Sequence, residues 1–163
     1  MPEVQCRVCS RHGRTVIVLL IDHQIQRVLD QDGNLYGTTY GGGADNYGTA
    51  YKLSPGENGQ WTETVLHSFA FGDRYPSGTI ALDAGNIYGT TELDGSAKSD
   101  GAVFELLSPV RGSSYKQKIL WKFNGADGRL PFGGLTLDST DNLYGTTEGG
   151  GSKGYGVVFE VTP

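Results

Sequence analysis

The sequence predicts an all-β fold: a β-propeller-like series of tandem four-stranded blades, about three repeats, in an incomplete or open ring. Three observations predict it, namely a recurring seven-residue motif, a high glycine content, and short apolar segments with strand periodicity. Glycine makes up 26 of 163 residues, about 16% against the usual ~7%, which favours many short strands joined by turns. The glycines recur at fixed positions beside tyrosine, valine and leucine, so a folded chain is expected.

The recurring motif sets the register of the repeat. Its three copies read GNLYGTT from residue 33, GNIYGTT from residue 85 and DNLYGTT from residue 141. Each copy precedes a glycine-rich loop and a second strand, which begins near residues 48, 101 and 156. The period is therefore roughly 55 residues, which is typical of architectures built from stacked repeats.

The other half of the unit occurs twice. Residues 64–69 (TVLHSF) correspond to residues 118–123 (KILWKF), and a Pro-x-Gly segment and a Leu-Asp pair follow each of them. Four strands per unit result: one that ends at the Leu-Asp pair, one with Tyr-Gly-Thr-Thr, one with Val-Phe-Glu, and one with the His or Trp position. One propeller blade requires such a sheet. Period-2 alternation on the third strand makes Phe104 and Phe159 predicted core residues.

These repeats divide the chain into a non-repeat segment, residues 1–27, and a repeat domain, residues 28–163. The units lie near residues 28–77, 78–132 and 133–163. The first 27 residues contain no Pro-x-Gly segment, and the third unit stops before a final outer strand. Because a closed propeller needs roughly four or more blades, we expect an open arc, a fragment, or a ring that a homo-oligomer completes.

Charge, hydropathy and cysteine content bear on partners. The net charge is −5 and no stripe of Lys and Arg could neutralise a series of phosphates, so we expect no nucleic-acid partner. The longest apolar run, residues 16–21, is too short for a membrane span or for the core of a signal peptide. Cys6 and Cys9 form a C-x-x-C pair whose spacing to His12 and His23 matches no common zinc finger, so two ordinary thiols are expected.

Acidic and amide residues at the hairpin turns form the candidate metal site. They recur once per unit at the same position: Asn34, Asp83, Asn86, Asp138 and Asn142, together with Asp30, Asp32 and Asp141. Calcium takes about six to eight oxygen ligands, and turns of different units could bring such ligands together around an axis. The alternative is that these side chains bond their own backbone, as Asp and Asn commonly do in turns.

Three side chains in the repeats are candidates for acid–base catalysis. His67 titrates near neutral pH and could act as a general base, while Asp73 and Asp127 occupy matching loops between a Phe and a Pro. The alternatives are a packed histidine, since His67 aligns with Trp121, and solvated loop carboxylates. The common signatures of serine hydrolases, zinc proteases and phosphate-binding loops are absent from the sequence.

Aromatic residues offer a third kind of site. Trp61, Trp121 and the nine tyrosines could form a sugar-binding platform, because aromatic faces pack well on apolar ligand surfaces. Tyr36, Tyr88 and Tyr144 occupy identical repeat positions. They are expected to be structural, because each blade needs the same large residue at its sheet interface.

The Leu-Tyr-Gly-Thr-Thr motifs, Gly-Gly loops and Val-Phe strands of residues 28–163 resemble the GloVer repeat family of bacterial proteins. The resemblance implies a propeller-like architecture and a secreted or surface setting, extracellular or periplasmic, without an established activity. The string Asp-x-(x)-Gly-Asn-Leu/Ile-Tyr is also similar to a strand motif of the gluconolactonase-like propellers. That second resemblance implies calcium in the channel and the hydrolysis of lactones.

Two function classes therefore stay open. One is a calcium-dependent hydrolase of a small lactone, for example an N-acyl homoserine lactone in quorum quenching, in which the metal polarises the carbonyl and a nearby base activates water. The other is a non-catalytic secreted or cell-surface recognition module with a sugar as its ligand. Lactone opening that a chelator abolishes and calcium restores would separate the two.

Overall fold

The structure, a computed structural model, describes the backbone of residues 6–11, 14–19, 27–95, 100–110 and 113–163. It describes side chains from residue 28 onward within these ranges, except at residue 58. The described residues form thirteen strands and one 3₁₀ turn, Glu57–Gly59, which confirms the predicted all-β fold. The prediction of two ordinary thiols at Cys6 and Cys9 concerns side chains outside this description.

Strands β1 (Cys6–Arg11) and β2 (Arg14–Leu19) pair as an antiparallel hairpin. The repeats form three further antiparallel sheets, in each of which strands adjacent in sequence are adjacent in space. The first contains β3 (Arg27–Leu29), β4 (Leu35–Thr39), β5 (Thr49–Pro55) and β6 (Trp61–Ser68). The second contains β7 (Arg74–Asp83), β8 (Asn86–Leu93), β9 (Ala102–Leu107) and β10 (Lys116–Lys122). The third contains β11 (Thr136–Leu137), β12 (Leu143–Thr146) and β13 (Val158–Val161).

The first strands of the three sheets lie side by side, as the inner strands of propeller blades do. Strand β7 contacts both β3 and β11, and the Leu135 N–H donates to the Thr79 carbonyl at 2.9 Å. Gly78 has a φ of +77°, and a Cβ there would lie 2.5 Å from the Gly133 carbonyl oxygen. The Pro-x-Gly segments therefore meet where only glycine fits. The sheets do not close into a barrel, so the architecture is an open series of propeller-like blades.

Two apolar cores join the sheets. We call the packing of the first sheet on the second the first junction, and that of the second on the third the second junction. The first junction buries Ala50, Phe69, Ile80, Ile87, Phe104 and Leu106. The second buries Ala81, Tyr88, Val103, Phe123, Leu135, Leu143 and Val161. Phe104 is fully buried, as predicted, whereas Phe159 is only partly buried against the second core.

The face of the third sheet that points away from the second junction is exposed. Val158 keeps 79% of its surface exposed and the neighbouring Tyr155 keeps 90%. Ala50 and Val103 occupy the repeat position of Val158 in the first and second units. Both are 0% exposed, because each faces the next sheet. The third unit thus presents to solvent a surface that the first two units bury.

Each sheet is a meander, so its connections alternate between two ends. We call the end with the turns between the first and second strands (residues 30–34, 83–86 and 138–142) the turn end. The loop end carries the loops between the second and third strands and the segments that lead to the next sheet, such as residues 40–48 and 69–73. A seven-residue strand such as β5 separates the two ends by about 20 Å at ~3.3 Å per residue. Among the described residues, no helical segment has the length and apolar character that a membrane crossing requires.

Candidate functional site

The first turn of the repeats holds its own aspartate. Asp30 Oδ1 accepts hydrogen bonds from the backbone N–H groups of Asp32 at 3.0 Å and Asn34 at 2.9 Å. The Asn34 side-chain amide donates to Asp30 Oδ2 at 2.8 Å. The Asn34 side-chain bond is the largest influence on the Asp30 carboxyl, and the pKa of Asp30 is lowered. Asp30 and Asn34 thus stabilise the turn, which is the bonding that Asp and Asn favour there.

The third turn repeats this arrangement. Asp138 Oδ1 accepts from the backbone N–H groups of Thr140 at 2.8 Å and Asn142 at 3.0 Å, and the Tyr144 hydroxyl donates to Oδ2 at 3.1 Å. Hydrogen bonds from the backbone of Asn142 and Thr140 hold the pKa of Asp138 well below its usual range. The Asn142 Oδ1 atom accepts from the Thr162 hydroxyl at 2.7 Å, so this asparagine is engaged as well.

The second turn is one residue shorter, and its aspartate accepts no hydrogen bonds from the turn N–H groups. Asp83 pairs with Asn86 across Ala84 and Gly85, whose φ values of 45° and 86° are those of a tight type I′ hairpin turn. Asn86 reaches the third strand instead: its Nδ2 donates to Glu105 Oε1 at 3.0 Å and its Oδ1 accepts from the Ser108 N–H at 2.8 Å. Among the described residues, the Asp83 carboxylate has no hydrogen-bond or ion-pair partner.

The first two turns line an open cavity of about 620 Å³ at the turn end of the first junction. Its apolar lining comes from Val28, Leu29 and Leu82, and its polar lining from Tyr36, Asp30, Asp32 and Asp83. Burial, and then hydrogen bonding to Asp30, raises the pKa of Tyr36 to about 12, so this hydroxyl keeps its proton at neutral pH. The cavity therefore combines an apolar wall with carboxylates from two neighbouring units.

The predicted calcium ligands do not assemble into a coordination set. Asn34, Asn86, Asp138 and Asn142 are each engaged in hydrogen bonds within their own unit, which leaves Asp83. Within the described part of the chain, no three His, Cys, Asp or Glu side chains are grouped so that they could hold a metal ion. Since calcium needs about six to eight oxygen ligands, these side chains do not by themselves supply a site. Calcium binding stays a prediction.

Two of the predicted catalytic residues, His67 and Asp73, lie together at the loop end of the first junction. The buried His67 Nε2 atom has no hydrogen-bond partner among the described residues, and burial lowers the pKa of His67. Burial raises the pKa of Asp73, against the charge of Lys122, whose Nζ atom lies 3.7 Å from Asp73 Oδ1. The negative charge of Asp73 raises the pKa of His67 and so partly offsets the lowering by burial.

The third predicted catalytic residue, Asp127, lies at the second junction and stabilises its loop. Asp127 Oδ1 accepts from the Asn124 N–H at 2.9 Å, and Oδ2 accepts from the Trp121 indole N–H at 3.2 Å. It is therefore separate from the His67 and Asp73 pair. All three of these residues lie at the loop end, about 20 Å along the strands from the turns.

Three of the nine tyrosines that the sequence offers as candidates for a sugar-binding platform, together with Phe71 and Arg74, cover the loop end of the first junction. We call Tyr40, Tyr47, Phe71, Arg74 and Tyr75 the aromatic cluster. Tyr40 and Tyr75 are stacked with ring centroids 4.6 Å apart, and the Arg74 guanidinium carbon lies 4.2 Å from the Phe71 centroid. Neither tryptophan belongs to the cluster. Its members come from two segments of chain, residues 40–47 and 71–75, and the signal in the sequence is that the equivalents of Tyr40 and Tyr75 in the other units are not aromatic.

Comparison with known proteins gives one match. A family model described as the Gloeobacter/Verrucomicrobia repeat matches residues 21–163, which confirms the resemblance of the repeated motifs. No curated protein and no solved structure matches the chain.

Proposed function

The chain belongs to the Gloeobacter/Verrucomicrobia repeat family, and from this premise we propose that it is a non-catalytic recognition module. Its ligand is a small hydroxyl-rich molecule, such as a sugar, and the binding site is the cavity at the turn end of the first junction. A secreted or surface setting, extracellular or periplasmic, is part of the same proposal, because it is what the resemblance to this family implied.

The observation that carries the proposal is the free carboxylate of Asp83 in a cavity with an apolar wall. Asp83 is half-buried, and a hydroxyl-rich ligand would supply the hydrogen-bond donors that its carboxylate lacks. Asp32 lines the same cavity. Its carboxylate likewise has no hydrogen-bond or ion-pair partner among the described residues. Val28 and Leu82 offer contacts to the C–H groups of such a ligand. Ligand sites commonly combine apolar walls with a few polar groups.

Calcium-dependent opening of a small lactone, such as an N-acyl homoserine lactone, is the second candidate function. The observation in its favour is that carboxylates of two neighbouring turns line one cavity. Against it, His67 and Asp73 lie at the loop end, about 20 Å along the strands, whereas a general base must lie within hydrogen-bond reach of the water that it activates. A hydrolase at this cavity would need another base.

A homo-oligomer that completes the ring is a further proposal of the same kind. Val158 is exposed on the third unit, whereas its equivalents in the first two units, Ala50 and Val103, are buried. Covering the exposed face of the third sheet with a second copy would remove apolar surface from water. Sedimentation velocity over a range of concentrations tests this: a dimer is expected, and a concentration-independent monomer would contradict it.

Lengthening the second turn by one residue tests the recognition function. We would graft the sequence of residues 139–141 in place of Ala84 and Gly85, so that Asp83 is retained but becomes enclosed by turn N–H groups as Asp138 is. Titrations of the full chain with glucose, N-acetylglucosamine and cellobiose are followed by amide chemical shifts. We expect shifts around the first two turns in the wild type, and their loss in the graft and in Asp83→Asn.

A matched control and a direct assay complete the design. Asp127→Asn removes a carboxylate that serves its own loop at the other junction, so it should leave the titration unchanged. If none of the sugars shifts the turn residues, the recognition proposal is wrong. Opening of an N-acyl homoserine lactone that stops with chelator and returns with calcium would establish the hydrolase instead.

A further inference from the structure

The aromatic cluster forms one continuous surface from two separate segments of chain. Tyr40 and Tyr75 are stacked with an interplanar angle of 10°. Tyr47 meets Tyr75 edge-on at 5.8 Å and Phe71 at 6.2 Å. Phe71 keeps 61% of its surface exposed and Tyr40 keeps 41%, so the surface is open to a ligand.

Arg74 adds hydrogen-bond donors at the edge of this surface. Its guanidinium carbon lies 4.2 Å from the Phe71 ring centroid, and Nη1 donates to the Phe71 carbonyl at 3.1 Å. The other guanidinium N–H groups have no acceptor among the described residues. Flat apolar faces beside fixed donors suit a sugar ring, whose C–H groups pack on aromatic carbon while its hydroxyls accept hydrogen bonds at the rim.

The fold does not require an aromatic residue at position 40 or position 75. The repeat position of Tyr40 is occupied by Glu92 and Glu148 in the other units, and that of Tyr75 by Leu130. The backbone is nevertheless the same. Tyr75 and Leu130 both have positive φ values, 60° and 54°, and their N–H groups donate at 2.9 Å to the carbonyls of Tyr47 and Asp100.

Residues 124–128 of the second junction contain no aromatic side chain that could replace Phe71. Since the second junction forms with the same backbone and without an aromatic cluster, packing alone does not account for the cluster at the first. An exposed, clustered set of aromatic rings is typical of a binding surface.

We propose that the aromatic cluster is a second binding site, which takes the apolar face of a pyranose ring within a polysaccharide. Phe71 and Tyr40 provide the faces for stacking, and Arg74 donates hydrogen bonds to hydroxyl groups of the same ring. The inference shares with the proposed function only the ligand class. The cavity lies at the turn end and the cluster at the loop end, so either site can fail without the other.

Binding of hexasaccharides to the full chain tests this site. Cellohexaose, laminarihexaose and xylohexaose are titrated separately, with heat of binding and amide chemical shifts as readouts. We expect at least one of them to bind and to shift residues 40–47 and 71–75. Phe71→Ala and Tyr40→Ala should each weaken that binding by about tenfold or more, as loss of an aromatic anchor does.

Two further variants separate recognition from folding. Phe71→Leu retains apolar bulk but loses the flat face, so weakened binding with an unchanged melting temperature supports the proposal. Phe132→Ala is the matched control, because Phe132 is an exposed aromatic residue, 38% exposed, outside the cluster. It should change the affinity by less than about twofold.

The outcomes distinguish the two sites. Loss of binding in Phe71→Ala but not in Asp83→Asn supports the aromatic site and counts against the cavity. Loss in Asp83→Asn but not in Phe71→Ala supports the cavity and overturns the aromatic site. Absence of binding by all three hexasaccharides, or binding that none of the cluster variants weakens, also overturns it.

Discussion

The two junctions share their core geometry and differ in what surrounds it. At the first junction the rings of Phe69 and Phe104 lie 5.1 Å apart at 64°, and at the second those of Phe123 and Phe159 lie 5.1 Å apart at 63°. Beside these matching pairs, however, the first junction has His67 where the second has Trp121. The repeated residues thus fix the packing of the sheets, and the unrepeated residues make the surroundings of the two junctions different.

The second difference between the junctions is enclosure. Strand β9, which carries Phe104, pairs on one side with β8 and on the other with β10. Strand β13, which carries Phe159, pairs with β12, and its other edge has no paired strand among the described residues. The same side chain is therefore fully buried at the first junction and partly exposed at the second. Substitutions at equivalent positions should have unequal effects.

The largest expected effect is that of removing the central ring. Phe104→Ala should lower the free energy of unfolding by about 3–5 kcal/mol, since it leaves a cavity in an enclosed core. Phe159→Ala should cost clearly less, because part of its ring is already in contact with water. Urea unfolding measures both, with the exposed Lys153→Ala as the control. Equal costs for the two phenylalanines would contradict the difference in enclosure.

A smaller effect is expected from adding one methyl group beneath each ring. A Cβ at Gly89 would lie 2.5 Å from Phe104 Cζ, and one at Gly145 would meet Phe159 Cζ just as closely. Gly89→Ala should destabilise by about 1–3 kcal/mol, the usual cost of overpacking a closed core. Gly145→Ala should cost less, since Phe159 can move towards solvent. Melting temperatures of the two variants provide the comparison, and a larger loss for Gly145→Ala would sink it.

Substituting the turn asparagines should also destabilise the second unit more than the third. Asn86→Ala removes a donor to the buried Glu105 and an acceptor for the Ser108 N–H, so a loss of about 2 kcal/mol is expected at ~1 kcal/mol per hydrogen bond. Asn142→Ala, whose partners lie in a more exposed turn, should cost about 1 kcal/mol. Thermal unfolding in chelator measures these losses.

Repeating those melts with calcium tests the metal hypothesis. The recognition proposal expects the same melting temperatures with calcium and with chelator. The hydrolase hypothesis expects calcium at ~100-fold its Kd to stabilise the wild type by about 2.7 kcal/mol, and Asp83→Ala and Asn86→Ala to abolish that gain. A calcium-dependent rise that these variants remove would therefore favour the hydrolase.

The smallest effect expected is a pH dependence confined to the first junction. The pKa of His67 is lowered by burial, so the unfolded chain binds the proton more readily and stability should fall as the pH drops below about 6.5. His67→Gln should flatten this dependence. The pKa of Asp73 is raised, which acts in the opposite direction, so Asp73→Asn should steepen it. Unfolding at roughly pH 5 to 7.5 measures the slopes, and identical slopes in all three proteins would refute this account.

Much of the fold could be predicted from the sequence, because short-range patterns determine it. Period-2 alternation indicates the strands, and the recurring Tyr-Gly-Thr-Thr motif sets the register of the repeat. The candidate sites were harder to predict from the sequence than the fold. Asp83 and Asn86 were identified as turn residues, but which atoms their side chains bond depends on where Glu105 and Ser108 lie in the folded sheet.

The tyrosines of the aromatic cluster were among the candidates for a sugar-binding platform, but which of them meet could not be predicted, for a similar reason. Tyr40 and Tyr75 are separated by two strands and meet only because both connections fall at the loop end. The sequence did contain an indication, since Glu92, Glu148 and Leu130 replace them in the other units. In a repeat protein, departures from the repeat therefore deserve as much weight as the repeat itself.

The short second turn has a consequence for how such a protein can evolve. One codon added between those for Ala84 and Gly85 would give this turn the length of the other two. The backbone N–H groups of the turn could then donate hydrogen bonds to the Asp83 carboxylate. One codon lost from the turn after Asp138 would do the reverse in the third unit. Neither event alters a core residue or the order of the strands. In-frame insertions and deletions could therefore change which units of a tandem array present a free carboxylate, one unit at a time, while the fold stays the same.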